Sequence, residues 1–255
     1  MSAWPYPRVV AHRGGGTLAP ENTLAAMRCA VLHGFDAVEF DVMLAHDGVP
    51  VVIHDTRLGR TVAGDADIAS LPSTQLTAMD AGSWFGSAFR GEPIPPFEQV
   101  FSYCRASHLW MNIEIKPTPG TEVDTGRIVA MLVQQWCDDA DPISPLLSSF
   151  SLEALLAAKA AAPALPRGWL VERIPTDWQA QLHRLDAVAL HANHAFLTCE
   201  NVREIKAAGV GLFCYTVDEP VRAAQLFAWG VDAVCTNRLD LIDAHFSDRC
   251  TPYFP

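Results

Sequence analysis

Along Ala37-Val38-Glu39-Phe40-Asp41-Val42 apolar and acidic residues alternate, so a strand here places Val38, Phe40 and Val42 on one face and Glu39 with Asp41 on the other. A later stretch repeats the pattern: Met111, Ile113 and Ile115 share one face, while Asn112, Glu114 and Lys116 share the opposite one. Three carboxylates turned into the interior of one sheet would repel each other and lose their hydration. A divalent cation relieves both costs. An all-oxygen set of Glu39, Asp41 and Glu114 suits one Mg2+ or Ca2+ rather than zinc, which prefers His and Cys. The competing reading makes Glu39 and Asp41 strand-end caps and pairs Glu114 with Lys116. Acids delivered from two strands at the same end of the sheet favour the cation.

Two histidines frame these acids. Val10-Ala11-His12-Arg13-Gly14-Gly15-Gly16 ends an apolar run in a histidine followed by glycines, whose backbone N–H groups can approach a phosphate closely. Val51-Val52-Ile53-His54-Asp55 ends a second apolar run in a histidine, just after the Asp47-Gly48 turn. Cleavage of a phosphodiester requires a base for the attacking hydroxyl, an acid for the leaving alkoxide and positive charge at the phosphoryl group. His12 and His54 can supply the first two, and Arg13, Lys116 and the cation the third, with Arg13 able to grip two phosphate oxygens at once. The remaining histidines, His191 among them, are read as surface or satisfied core residues.

Holding such groups together takes a repeated βα architecture. Short runs rich in β-branched and aromatic residues alternate with longer stretches of helical period. Strands are expected at 8–12, 37–42, 109–115, 146–150, 168–171, 187–190, 210–215 and 232–235, with helices such as 21–33, 122–136, 152–162 and 219–229. Eight strands predict an α/β chain folded as a TIM (β/α)8 barrel, with the chemistry at its C-terminal rim. Asn22-Thr23, Ser151 and Asp218 read as helix starts, and Gly34, Gly209 and Gly230 as helix ends. Residues of about 55–95 form too long a stretch for a βα loop and are rich in Gly and Pro. They read as a small insertion after the second strand region, folded over the barrel mouth of one domain spanning 1–255.

The bulk composition fits a single barrel: 255 residues, half of them hydrophobic. A net charge of -11 repels nucleic acid and anionic lipid, so neither partner is expected, and a small anionic substrate would need positive charge inside the site. Seven scattered cysteines without a C-x-x-C pair point to a reducing compartment. The N-terminus shows no basic and apolar leader, and no stretch is apolar enough to span a bilayer, so a cytoplasmic protein without stable membrane insertion is expected.

His12-Arg13-Gly14, Pro20-Glu21-Asn22-Thr23, Glu39-Phe40-Asp41-Val42, Asp47-Gly48 and Val52-Ile53-His54-Asp55 stand in an order that resembles the glycerophosphodiester phosphodiesterase family. The similarity continues through Leu58, Arg60-Thr61, Ala81-Gly82-Ser83-Trp84-Phe85, Ile94-Pro95-Pro96 and Ile113-Glu114-Ile115-Lys116, with later echoes at Tyr215-Thr216-Val217-Asp218 and Gly230 to Asn237. The resemblance implies a TIM barrel that hydrolyses glycerophosphodiesters, such as glycerophosphocholine and glycerophosphoethanolamine, to sn-glycerol 3-phosphate and an alcohol. It implies His12 and His54 as the acid/base pair, Glu39, Asp41 and Glu114 as metal ligands, and Arg13 and Lys116 as phosphate contacts. Phe150, Phe213 and Tyr215 then either wall the glycerol or belong to the barrel core. Tyr215 stands where the family commonly has Trp, and Asp218 where it commonly has Asn. Related barrels that act on lysophospholipids or release cyclic phosphates offer an alternative, and a binding module without turnover a second.

Overall fold

The computed structural model describes residues 4–137 and 143–250; residues 1–3, where the N-terminal stretch read as lacking a leader begins, lie outside them. Nine strands follow in chain order: β1 (Val9–Ala11), β2 (Ala37–Leu44), β3 (Pro50–Val52), β4 (Trp110–Ile115), β5 (Leu146–Ser149), β6 (Arg167–Val171), β7 (Ala189–Asn193), β8 (Gly211–Tyr215) and β9 (Ala233–Thr236). From β4 to β9 each strand pairs in parallel with the next, β2 pairs with β4, and β1 joins both β9 and β2. Eight parallel strands therefore close into a TIM barrel, at the eight places where sequence patterning predicts them.

The ninth strand was not foreseen. The turn at Gly48, which adopts φ +75°, sends the apolar run back along β2, so that β3 pairs antiparallel to it through Val42↔Val52 and Leu44↔Pro50. Around that hairpin Met43, Val51, Ile53, Leu58, Ile68, Leu76 and Ile94 form a small apolar core of their own. The 55–95 segment is thus supported by packing and is not a bare loop. It contains two short 3-10 turns and one helical turn, α2 (Ser73–Leu76), after α1 (Leu24–Leu32).

The outer layer continues with α3 (Phe97–Ala106), α4 (Glu122–Trp136), α5 (Leu152–Ala161), α6 (Trp178–Leu185), α7 (Cys199–Ala207) and α8 (Pro220–Trp229). Outward residues of the strands, such as Val38, Phe40, Val42, Ile113 and Ile115, are fully buried against it, each stabilising the fold by roughly 1.5–3 kcal/mol. At the N-terminal end of the barrel Trp4, Tyr6 and Trp110 form a plug, with Tyr6 stacked on Trp110 at 4.6 Å between ring centroids and Trp4 edge-on to Tyr6. The opposite end is left for chemistry. No helix among the described residues is long and apolar enough to cross a membrane.

Helix starts show where local reading works. Thr23 and Ser151 cap α1 and α5 by accepting from Ala26 N and Ala154 N. Asp218 does not cap α8: Pro220 opens that helix and holds Glu219 extended as its N-cap, which puts Asp218 one residue too early. Helix α1 also begins later than residue 21, because Asn22 takes a left-handed φ of +59°.

Candidate active site

Register decides what the two acid-bearing strands place together. Asp41 pairs with Glu114, and Glu39 with Asn112, in the β2–β4 ladder. One carboxylate oxygen each from Glu39, Asp41 and Glu114 lies within 4.8 Å of the others. All three residues are at least nine-tenths buried. Burial, followed by the charges of Asp41 and Glu114, pushes the Glu39 carboxyl well above the usual carboxylate range. Glu114 rises to about 7, by burial and then by Asp41. Asp41 goes the other way: burial would raise it, but the charges of Lys116, Arg13 and His54 and a bond from Asn22 carry it below its ordinary value. A set of buried oxygen donors, two of them too desolvated to stay ionised unaided, fits a hard divalent cation.

Neighbouring groups fix each acid. Asn22 Nδ2 donates to Asp41 Oδ2 at 2.8 Å, and its own Oδ1 accepts from Asp41 N at 3.2 Å. Lys116 Nζ lies 3.1 Å from Asp41 Oδ1 and 3.8 Å from Glu114 Oε1, so it pairs first with Asp41 and not with the glutamate nearer in sequence. Glu39 Oε2 accepts from Arg13 N at 3.1 Å. Arg13 donates through Nη1 to Glu21 Oε1 at 2.7 Å, while its buried Nε makes no hydrogen bond among the described residues and faces Asp41 Oδ2 at 3.5 Å.

His12 follows β1 directly and His54 follows β3, which brings both rings beside the acids. His12 Nε2 is 3.8 Å from Glu39 Oε2. Asp218 accepts from Asn237 N at 2.7 Å and from Asn237 Nδ2 at 3.0 Å, which turns Asn237 Oδ1 onto His12 Nδ1 at 2.6 Å. An oxygen facing Nδ1 makes that nitrogen the protonated one and leaves a lone pair on Nε2. His54 Nδ1 sits 2.7 Å from Asp55 Oδ1 and is held in the same sense. Burial, aided by Arg13, lowers His12 to about 4. Burial lowers His54 as well, with Asp41 opposing. Both rings are neutral at neutral pH, as an imidazole that is to accept a proton must be.

Two amides of the glycine loop after His12 are turned inward. Gly14 N and Gly16 N donate to the carbonyls of Ala11 and His12. Gly16 has φ +53°, and a Cβ there would fall 2.2 Å from the Asn237 carbonyl oxygen. Glycine lets this loop touch the chain that orients His12.

Phe150 and Tyr215 stand at the mouth, with ring centroids 5.8 Å apart, and Phe150 is half exposed. Tyr215 donates its hydroxyl to the Val171 carbonyl at 2.9 Å. Phe213, though it also faces the opening, is buried and stacks on His191 at 4.6 Å. His191 departs from the satisfied core residue expected: it is fully buried and, among the described residues, neither ring nitrogen has a hydrogen-bond partner. Burial lowers it to about 3, so it stays neutral inside the barrel.

Sequence patterning thus brings together every residue it nominates around the acids, but passes over Glu21, Asn22, Asp55, Arg60, Asp218 and Asn237 as working groups. Asn22 and Asp218 carry the sequence signature of helix starts. Their short polar chains beside strand ends were the available signal.

The sequence profile described as the Glycerophosphoryl diester phosphodiesterase family matches residues 12–241. A glycerophosphodiester phosphodiesterase of Caldanaerobacter subterraneus subsp. tengcongensis is 33% identical over 90% of this chain and 93% of its own length. One of Bacillus subtilis is 29% identical over 91% of this chain and 84% of its own. Among solved structures, an Oleispira antarctica phosphodiesterase in complex with the product sn-glycerol-3-phosphate superposes with a TM-score of 0.89 at 38% identity, covering 93% of this chain and 96% of the other.

Proposed function

The chain belongs to the glycerophosphoryl diester phosphodiesterase family of hydrolases, and on that premise we propose that it hydrolyses glycerophosphodiesters to sn-glycerol 3-phosphate and an alcohol, with one divalent cation and the His12/His54 pair. The observation that carries this reading is the meeting of Glu39, Asp41 and Glu114 oxygens within 4.8 Å between two neutral imidazoles. The resemblance to a phosphodiesterase holding sn-glycerol-3-phosphate supports the substrate class.

Glu39, Asp41 and Glu114 would hold Mg2+ or Ca2+, which when bound supplies positive charge for a phosphoryl oxygen and neutralises the acids. Arg13, whose side chain keeps some exposure, offers its positive guanidinium to the phosphate, and Lys116, released from part of its pairing with Asp41, adds a second positive group. One of the two histidines takes a proton from the attacking hydroxyl through its Nε2 lone pair as the new P–O bond forms. The other, having taken a proton from solvent at Nε2, delivers it to the departing alkoxide as the old P–O bond breaks, and the first returns its proton to solvent, so both rings end neutral. Phe150 and Tyr215 form an apolar side to the mouth against which the glycerol carbons can lie.

A panel of glycerophosphocholine, glycerophosphoethanolamine and glycerophosphoglycerol, each with Mg2+, Ca2+ or Mn2+ and with a chelator, tests the reading by phosphorus NMR. Cation-dependent appearance of sn-glycerol 3-phosphate is expected. Absence of any phosphomonoester across the panel would remove the assignment.

Cation affinity should climb with pH. Glu114 keeps its proton up to about 7, and burial with the charges of Asp41 and Glu114 holds the Glu39 carboxyl well above the usual carboxylate range, so binding must expel protons on the acid side. Between pH 6 and 8 the Mg2+ association constant is expected to rise about tenfold or more. Calorimetric titrations in buffers of different ionisation enthalpy would reveal the accompanying proton release. A flat affinity without proton release would show that the cation binds elsewhere.

A further inference from the structure

Arg60 lies in the 55–95 segment, outside the barrel, yet its guanidinium makes three charge-assisted bonds into the site. Nη1 and Nη2 donate to Glu21 Oε2 and Oε1, each at 2.7 Å, and Nε donates to Asp55 Oδ2 at 2.7 Å. The second oxygen of Asp55 holds His54 Nδ1 at 2.7 Å. Glu21 Oε1 also accepts from Arg13 Nη1 at 2.7 Å. One guanidinium therefore connects the carboxylate behind His54 with the carboxylate behind Arg13. With all three of its nitrogens engaged, Arg60 is poorly placed to bind substrate itself.

We propose that Arg60 is a positioning residue that locks the imidazole of His54 through Asp55 and the guanidinium of Arg13 through Glu21. The proposal rests on the reading in which His54 and Arg13 act on the phosphodiester. Its physical basis is the planar fork. A bidentate grip on Glu21 fixes the plane of the guanidinium, and that plane dictates where Nε meets Asp55. Asp55 in turn sets the ring angle of His54 and keeps the proton on Nδ1, with Nε2 free. The Arg60 and Asp55 side chains are 45% and 27% exposed. Exposed ion pairs contribute little to global stability, so the consequence falls on geometry.

The test uses full-length, Mg2+-loaded protein with glycerophosphoethanolamine. R60Q is expected to lower kcat about 10- to 100-fold with a melting temperature within a few degrees of wild type. R60K keeps the charge but loses the fork, so it should recover only part of the loss, and it carries the same measurements should R60Q fail to fold. In a double-mutant cycle, adding R60Q to D55N/E21Q should lower kcat no further, because the two connections are already cut. Long-range proton–nitrogen NMR of the His54 ring supplies a readout independent of turnover: a single Nδ1–H tautomer in wild type, and a growing Nε2–H population in R60Q. Wild-type kcat in R60Q, a loss that adds fully onto D55N/E21Q, or an unchanged His54 tautomer would each overturn the proposal. If wild-type protein cleaves no glycerophosphodiester, the functional reading fails and the His54 spectra alone decide the role of Arg60.

Discussion

With a chelator present at pH 8, Glu114→Gln protein is expected to melt several degrees above wild type, and with Mg2+ restored it should turn over about 100- to 1,000-fold more slowly. Both effects have one cause. Glu114 titrates near 7 in the folded chain against an ordinary 4.5, because burial and Asp41 oppose its charge. A carboxyl whose folded pKa is raised stabilises the fold while it holds its proton. That stability is fully present below the unfolded value and is lost as pH rises through the folded one. At pH 8 the forced ionisation costs on the order of 3 kcal/mol without a cation. Glutamine removes that cost and, with it, one of the oxygens proposed to hold the cation. At pH 5, where the carboxyl keeps its proton, the melting advantage should vanish. Scanning calorimetry at the two pH values and initial rates with saturating Mg2+ provide the check. A chelated variant no more stable than wild type at pH 8 would mean that the three acids are not under the strain their positions imply.

His12→Ala should lower kcat about 100- to 10,000-fold, the range associated with loss of a positioned acid or base, while Mg2+ affinity changes by no more than about threefold. His12 Nε2 stands 3.8 Å from Glu39 Oε2, close enough to share substrate with the acid cluster but not placed as a member of its oxygen set. The contrast with Glu114→Gln is diagnostic. One variant loses chemistry with the cation site intact, and the other loses the site. Titration calorimetry beside steady-state kinetics separates the two, and a collapse of Mg2+ affinity in His12→Ala would recast the imidazole as a ligand.

The sequence alone determined the barrel and the cast of the acid cluster, because both depend on short-range periodicity. A period of two assigns Glu39 and Asp41 to one face of β2, and Asn112 and Glu114 to one face of β4 with Lys116 next in the alternation, whatever the rest of the chain does. Alternation of strand and helix then calls for a parallel sheet buried on both faces, and a count of eight strands fits its closed form. It could not show that the run before His54 would fold back as β3. A three-residue strand has too little pattern to distinguish it from a loop.

Tertiary structure alone decided the partners behind each candidate catalytic group. Asn237 reaches His12 across 225 residues of sequence only because β9 closes onto β1. Asp218 faces Asn237 and not the first turn of α8, because Pro220 shifts the start of that helix. Arg60 meets Glu21 and Asp55 only after the 55–95 segment has packed on its own small core. Such contacts are set by where elements arrive in space, and a side chain's periodic position fixes the face it occupies but not the neighbour that comes to meet it.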